Sequence, residues 1–277
     1  MIADLPELRA AAGEHGVDLL GVARMEQHIH PELDRVVVLV RHTPNGVTWA
    51  KHPGTKQYAG ARALKLLGEA GVAVAGQLEA GGARAMPLAP AAIDFGRSGP
   101  EALTPAGQGT MLAREAAVAA GLATWGLNRM VLTPEYGPRV RLAAVLTDAP
   151  LQAGRPLETE LCPGYASCGR CAAVCPSQAI PTDGPRGLDG AACASVSQPF
   201  AADAFVGQVK RMFAAGDKGA LAQLIRVRTT GELWQEATFL KEGAYTACSR
   251  CQDVCPVGAD WAVVGQSPYV QSLAAGA

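Results

Sequence analysis

The spacing of apolar residues changes several times along this 277-residue chain, and each change predicts an element. In LPELRAAAGEHG, starting at Leu5, apolar positions recur at helical spacing and a glycine closes the run, which predicts a helix. DLLGVARM then reads as a strand. DRVVVLVRH, Asp34 to His42, is β-branched and continuously apolar, the pattern of a strand buried on both faces. From Tyr58 to Leu78, YAGARALKLLGEAGVAVAGQL is helical in its first half, while its glycines leave the second half open. MLAREAAVAAG predicts a further helix over Met111 to Ala120. RMVLTPEYGPRVRLAAVLTD reads as two apolar strands around a Pro/Gly turn, a hairpin. Between these, GGARAMPLAPAAIDFGRSGPEALTPAGQG, Gly81 to Gly109, is small, apolar and punctuated, and reads as a long loop suited to line a site.

Helices alternating with strands, followed by a hairpin, predict an α+β fold in layers. Composition then divides the chain. All eight cysteines lie between Cys162 and Cys255, and all five histidines lie at or before His52. The Pro-rich stretch from Pro150 to Pro156 is the natural boundary, giving domains over residues 1–154 and 155–277. Within the second, AFVGQVKRMFAAG and KGALAQLIRVRTTGELWQEATFL predict amphipathic helices that form an insertion at about 198–244. Their expected work is to exclude water from a metal site or to dock an electron donor.

Charge narrows the partners. Through Pro150 there are fourteen Lys and Arg against fourteen Asp and Glu, and ten against eleven after it. Neither half carries the basic field that nucleic acid requires. No basic leader precedes an apolar core at the N-terminus. The early apolar run Val36 to Val40 is far shorter than the about 20 residues that span a bilayer. The expectation is a cytoplasmic protein with no membrane partner, and in a reducing cytosol clustered cysteines are metal ligands or redox groups before they are disulfides.

The cysteines form two copies of one pattern. Cys168-x2-Cys171-x3-Cys175-Pro176 is repeated as Cys248-x2-Cys251-x3-Cys255-Pro256. In two-cluster ferredoxins the closely spaced thiolates of such a motif wrap one cubane, and the cysteine before proline reaches across to the other. By that crossover, Cys162, Cys168, Cys171 and Cys255 hold one [4Fe-4S] cluster, and Cys175, Cys193, Cys248 and Cys251 hold the second. Eight sulfurs are what two clusters need. Cys162, set back by five residues, and the isolated Cys193 also read as buried apolar thiols, and two four-cysteine zinc sites are the competing metal reading. His28-x-His30, with His42 and His52, has a spacing that would put His28 and His30 on one face of a strand, but Pro31 and the turn-rich surroundings read as loop, so no metal site is expected there.

The block AGLATWGLNRMVLTPEYGPRVRLAAVLTDAPL and the cysteine run after it resemble epoxyqueuosine reductases and corrinoid reductive dehalogenases. GVDLLGVARM and DRVVVLVRH resemble their N-terminal segments, so the likeness covers most of residues 10–260 and is most specific from Ala120 to Ala179. It implies a nitroreductase-like α/β sandwich domain that binds cobalamin, followed by a two-cluster ferredoxin-like domain with a helical insertion. It also implies electrons arriving from a low-potential donor of ferredoxin or flavodoxin type and a small-molecule substrate that is reductively cleaved. Thr124, Trp125, Gly126, Leu127 and Asn128 are the implied cobalamin contacts.

Departures from the pattern matter as much. The acidic proton donor expected of epoxyqueuosine reductases, in an Asp-x-x-Pro segment, is replaced by AGQGTMLARE. Their Gly-Lys-Asn becomes Gly126-Leu127-Asn128, and their Asp-Tyr-His becomes Gln57-Tyr58-Ala59. Tyr58, Asp94 and Tyr136 are the candidate proton donors, tyrosine with a pKa near 10 suiting a strongly basic product. The tRNA-reading helical repeats are not expected in the roughly twenty residues after Cys255, so the likeness implies a short paralogue for which tRNA is not the expected substrate. Two further readings stay open, an electron-transfer protein without its own substrate and a corrinoid-binding or corrinoid-reducing accessory protein.

Overall fold

The computed structural model describes residues 4–26, 30–50, 53–88, 90, 110–183, 186–197, 212–227 and 248–275. Helix α1 (Leu5–Glu14) begins in a capping box: Asp4 Oδ1 accepts from the Glu7 amide at 3.0 Å, and Glu7 accepts from the Asp4 amide at 3.2 Å. Strands β1 (Leu19–Arg24) and β2 (Arg35–His42) follow, then a short 3-10 turn at Asn45–Trp49 and the long helix α2 (Pro53–Ala80). Next come β3 (Ala85–Leu88), α3 (Thr110–Ala119), β4 (Thr124–Trp125), β5 (Val131–Leu132) and β6 (Val140–Thr147).

The main sheet is antiparallel, in the order β1-β2-β6-β3. Side chains alternate across it. Val37, Leu39, Ala143 and Val145 face α1 and α2, where they meet Leu8, Leu67, Val74 and Leu78. Val36, Val38, Val40, Leu142 and Leu146 face α3, against Leu112, Ala113, Ala116 and Ala117. All five residues from Val36 to Val40 are fully buried, which explains the unbroken apolar run, because helices cover both faces of β2. Each such valine contributes about 1.5–3 kcal/mol relative to exposure. The result is a mixed α+β fold with a helix-sheet-helix first half.

Three sequence expectations change. Helix α2 runs unbroken through Gly68, Gly71 and Gly76 to Ala80. Leu67, Ala70, Val74 and Leu78 recur on one face and are wholly buried, so packing overrides the low glycine propensity. The segment Gly81 to Gly109 is not loop throughout, since Ala85–Leu88 pairs with β6 from Ala85↔Thr147 to Leu88↔Ala144. Pro87 disguised it; a proline is tolerated there because β3 is an edge strand. Residues 91–109, including Asp94, lie outside the described residues. The expected hairpin also divides. β5 pairs with β4, and β6 sits between β2 and β3. Only the isolated bridge Thr133↔Gly137 closes the intervening turn.

The cysteine-rich half adds short helices: α4 (Arg170–Ala173), α5 (Gly190–Ser197), α6 (Lys218–Val227), α7 (Arg250–Asp253), α8 (Trp261–Val264) and α9 (Pro268–Ala275). Of the expected insertion, residues 212–227 are described; α6 confirms a helix there, and Asp217 Oδ1 caps it by accepting from the Gly219 and Ala220 amides. The chain after the sheet is stitched back to it, Gly154 donating to the Val22 carbonyl at 2.8 Å and Arg35 to the Leu151 carbonyl at 3.0 Å. Among the described residues no helix is long and apolar enough to cross a membrane.

Where the β5–β6 turn meets the second cysteine motif, backbone packs on backbone. Gly137 has φ +56, and a Cβ there would overlap the Val257 carbonyl. Gly137→Ala is therefore expected to lower both melting temperature and iron retention. Gly82→Ala is the control, with φ +89 but nothing within 4 Å of an added Cβ. It should show only the backbone cost of about 1 kcal/mol and unchanged iron content. Equal losses in the two variants would contradict this packing.

Candidate metal and redox site

The two cysteine motifs adopt matching local structures. Each opens into a one-turn helix, α4 or α7, whose last turn delivers the cysteine before proline. Cys175 donates its amide to the Ala172 carbonyl at 3.1 Å, and Cys255 to Gln252 at 3.3 Å. The arginine that starts each helix stacks on an aromatic ring, Arg170 over Trp261 at 5.1 Å and Arg250 over Tyr269 at 5.0 Å. Helices α4 and α7 pack on each other. All eight cysteines are free and partly buried.

The thiols interact in two sets. Burial, then Cys255, Cys162 and Cys168, pushes the Cys171 thiol up to about 12. Burial pushes Cys255 up to about 11, offset in part by the Val257 amide and by Arg139, with Cys162 and Cys168 as its thiol neighbours. In the other set, burial raises Cys193, Ser197 draws it back, and Cys248 and Cys175 raise it again. Burial raises Cys251 strongly; a hydrogen bond with the Asn128 side chain opposes this, and Cys248, Cys171 and Cys193 add to it. Cys171 and Cys251 thus stand where the two sets adjoin. Among the described residues no three Cys, His, Asp or Glu side chains are grouped to hold a single metal ion.

A cavity of about 370 Å³ of empty space, solvent margin included, is lined by Cys162, Cys168, Cys171 and Cys255 together with Gly126, Leu127 and Asn128. These four thiols are the set that crossover assigns to one cluster, so the residues present fit a multi-iron group. Ala179 and Ile180, after Cys175, and Val254, before Cys255, are buried. The Ala179 amide donates to Cys175 Sγ at 3.3 Å, a hydrogen bond to sulfur of the kind that tunes a cluster.

Several polar groups of the segment Thr124–Asn128 are engaged within the fold. Thr124 Oγ1 accepts from the Leu161 amide at 3.1 Å, Asn128 Oδ1 from Met130 at 3.2 Å, and the Gly126 amide donates to the Met130 carbonyl at 2.7 Å. Trp125 is covered by the Arg129 guanidinium at 4.7 Å.

The candidate proton donors separate. Tyr58 is 68% exposed on α2. Tyr136 lies in the β5–β6 turn against Gly258, its ring stacked on His42 at 4.5 Å between centroids. Burial, then Asp18 and Glu135, raises its phenol. His30 pairs with Glu32 at 2.6 Å; His28 and His52 lie outside the described residues.

Burial holds the His42 imidazole below its ordinary value of 6.5, against Asn45 and Asp18, which raise it, and with Arg139, which lowers it further. The unfolded chain then binds this proton more readily than the folded one. The stability gained from the neutral ring is present above about pH 6.5 and is lost as pH falls through the lower folded value. His42→Phe, which keeps the stack, is expected to flatten the fall in melting temperature between about pH 7 and 5. An unchanged slope would remove His42 as its source.

Spacing did not signal the charged residues that mount the second motif. Lys56 on α2 pairs with Asp253, inside QDVCP, with side chains 10% and 6% exposed. Asp253 also accepts from Ser249 Oγ, and Lys56 lies over the Tyr269 ring at 4.9 Å. Trp49 donates to the Val263 carbonyl at 2.6 Å. Arg139, only 3% exposed, donates to the carbonyls of Gln252, Cys255 and Val257 at 3.3, 3.0 and 2.6 Å. An acid inside a metal motif, Asp253, was the one available hint.

No family model matches the chain. The tetrachloroethene reductive dehalogenase of Sulfurospirillum multivorans is 44% identical over 77 residues, 27% of this chain and 15% of that protein. The epoxyqueuosine reductase of Bacillus subtilis (strain 168) is 28% identical over 149 residues, 54% of this chain and 30% of that protein. The matches thus span less than a third of these relatives. A solved reductive dehalogenase, described with a mechanism for B12-dependent dehalogenation, shares the fold with a TM-score of 0.59 at 16% identity, over 97% of this chain and 35% of its own.

Proposed function

From the kinship of this chain with the family of reductive dehalogenases and epoxyqueuosine reductases, we propose that it is an iron-sulfur oxidoreductase carrying electrons through two [4Fe-4S] clusters to a reducible small molecule. The observation that supports this most is the division of its eight thiols into the two crossover sets, one of them lining a cavity against Gly126–Asn128. Bound there, such a cluster supplies one-electron storage at low potential.

The chain's own residues do the rest. Cys162, Cys168, Cys171 and Cys255 hold one cluster, and Cys175, Cys193, Cys248 and Cys251 the other. Val254 and Ile180 keep water out, and the Ala179 amide steadies Cys175. Cys171 and Cys251, which influence each other, link the two sets. A donor of ferredoxin or flavodoxin type supplies the electrons.

The B12-dependent chemistry described for the dehalogenase of like fold makes cobalamin the acceptor to test. Gly126, Leu127 and Asn128 line the cysteine cavity, while Thr124 Oγ1 and Asn128 Oδ1 accept from backbone amides of the chain. Those engaged groups favour a second reading, an electron-transfer protein without its own organic substrate. The test is an anaerobic titration of the reconstituted, reduced protein with cob(II)alamin. Spectral change in the corrinoid with oxidation of the protein's clusters is expected for the reductase; an unchanged corrinoid spectrum leaves the electron carrier.

A further inference from the structure

We propose that Arg139 is a positioning residue that fixes the Cys255 loop and, by its charge, sets the reduction potential of the cluster held by Cys162, Cys168, Cys171 and Cys255. This inference rests on the two-cluster reading above and adds to it a residue outside both cysteine motifs.

The geometry is specific. Arg139 stands on the turn that leads into β6, and its amide donates to the Tyr136 carbonyl while its carbonyl accepts from Thr43. The backbone is thereby tied to the sheet. Its guanidinium then reaches into the other half of the protein, where Nη1 donates to Gln252 and Cys255 and Nη2 to Val257. Three carbonyls, one before Cys255, its own and one after it, are gathered by one planar group. Lysine offers no such fork. Close packing of Gly137 on Val257 and of Gly258 on Tyr136 sets the distance at which this happens.

Charge is the second part. At 3% exposure the guanidinium is poorly screened by solvent. The nearby acid, Asp253, is already paired with Lys56, so the three groups leave a net positive charge beside the Cys255 loop. Reduction adds an electron to a cluster, and a buried cation next to one of its thiolates favours the reduced form. Arg139 Nε is also buried with no acceptor among the described residues. A cationic donor whose hydrogen bonds are incompletely met has more of its charge available to a new neighbour.

The test uses the full chain, loaded anaerobically, with iron analysis and a potentiometric titration followed by absorbance and electron paramagnetic resonance. Arg139→Gln removes the charge, and Arg139→Lys keeps it without the fork. In the glutamine variant one of the two clusters is expected to need a lower potential, its reduced-to-oxidised ratio falling about tenfold at fixed potential, or about 59 mV for one electron. In the lysine variant that ratio should stay within about threefold, while iron is lost faster to a chelator. If the glutamine variant fails to load, a loaded lysine variant with parental potentials supports the charge role. Unchanged potentials in a fully loaded glutamine variant overturn the proposal. So does an equal shift in both variants, or failure of both to load, which reduces Arg139 to a structural latch. A parent chain that never reaches about eight irons speaks against the two-cluster reading instead.

Discussion

Changing Cys168 and Cys255 together to alanine is expected to halve the iron of the reconstituted protein, from about eight atoms per chain to about four, and to leave one cluster with its parental spectrum. The two residues lie 87 positions apart, in different motifs. They belong to one set because Cys171 and Cys255 each interact with Cys162 and Cys168. Cys168→Ala with Cys175→Ala makes the contrast. Those two share a motif but not a set, so both clusters lose a ligand and both signals change. Iron analysis with paramagnetic resonance of the reduced proteins reads the difference. The reverse pattern, halving in the same-motif pair and damage to both clusters in the crossover pair, would show that each motif wraps its own cluster.

A larger effect on stability is expected at the pair that joins α2 to the second motif. Lys56→Met leaves Asp253 buried without its cation, and breaking a buried pair from one side costs about 3–5 kcal/mol. At roughly 2–4 °C per kcal/mol, the melting temperature of the loaded protein should fall by roughly 6–20 °C. Burial already raises the Asp253 carboxyl, with Lys56 the first influence holding it down, so the single variant should also favour a protonated acid there. Replacing both partners, with Lys56→Met and Asp253→Leu, removes the stranded charge and should recover much of the loss. A double variant no better than the single one would show that the pair acts through Ser249 or Tyr269 instead, the other contacts these side chains make.

Much of the first half was legible because its burial is periodic. β2 announces itself by five valine and leucine positions covered on both faces, and α1 by its helical spacing and closing glycine. β3 was hidden by a Met-Pro-Leu sequence that reads as loop until an edge strand is there to accept it. The hairpin was misjudged because pairing partners are a tertiary choice. β6 takes β2 and β3, which leaves β5 to the short Thr124–Trp125 strand.

At the site, the cysteines were readable because their spacing repeats, and CxxCxxxCP is the spacing whose crossover the proposed clusters would use. Arg139 and the Lys56–Asp253 pair were not. Each is a single charge whose meaning depends on a partner more than a hundred residues away, and no local period marks it. In Thr124 to Asn128, by contrast, residue types suited to hold a ligand also accept hydrogen bonds from the chain itself, at Thr124 Oγ1 and Asn128 Oδ1.

Iron and acid-labile sulfide per chain, measured with zinc on the same anaerobically reconstituted sample, bear most directly on the two-cluster site. About eight irons and eight sulfides with negligible zinc are predicted. Two zincs per chain, or about four irons that do not increase with further loading, would contradict it.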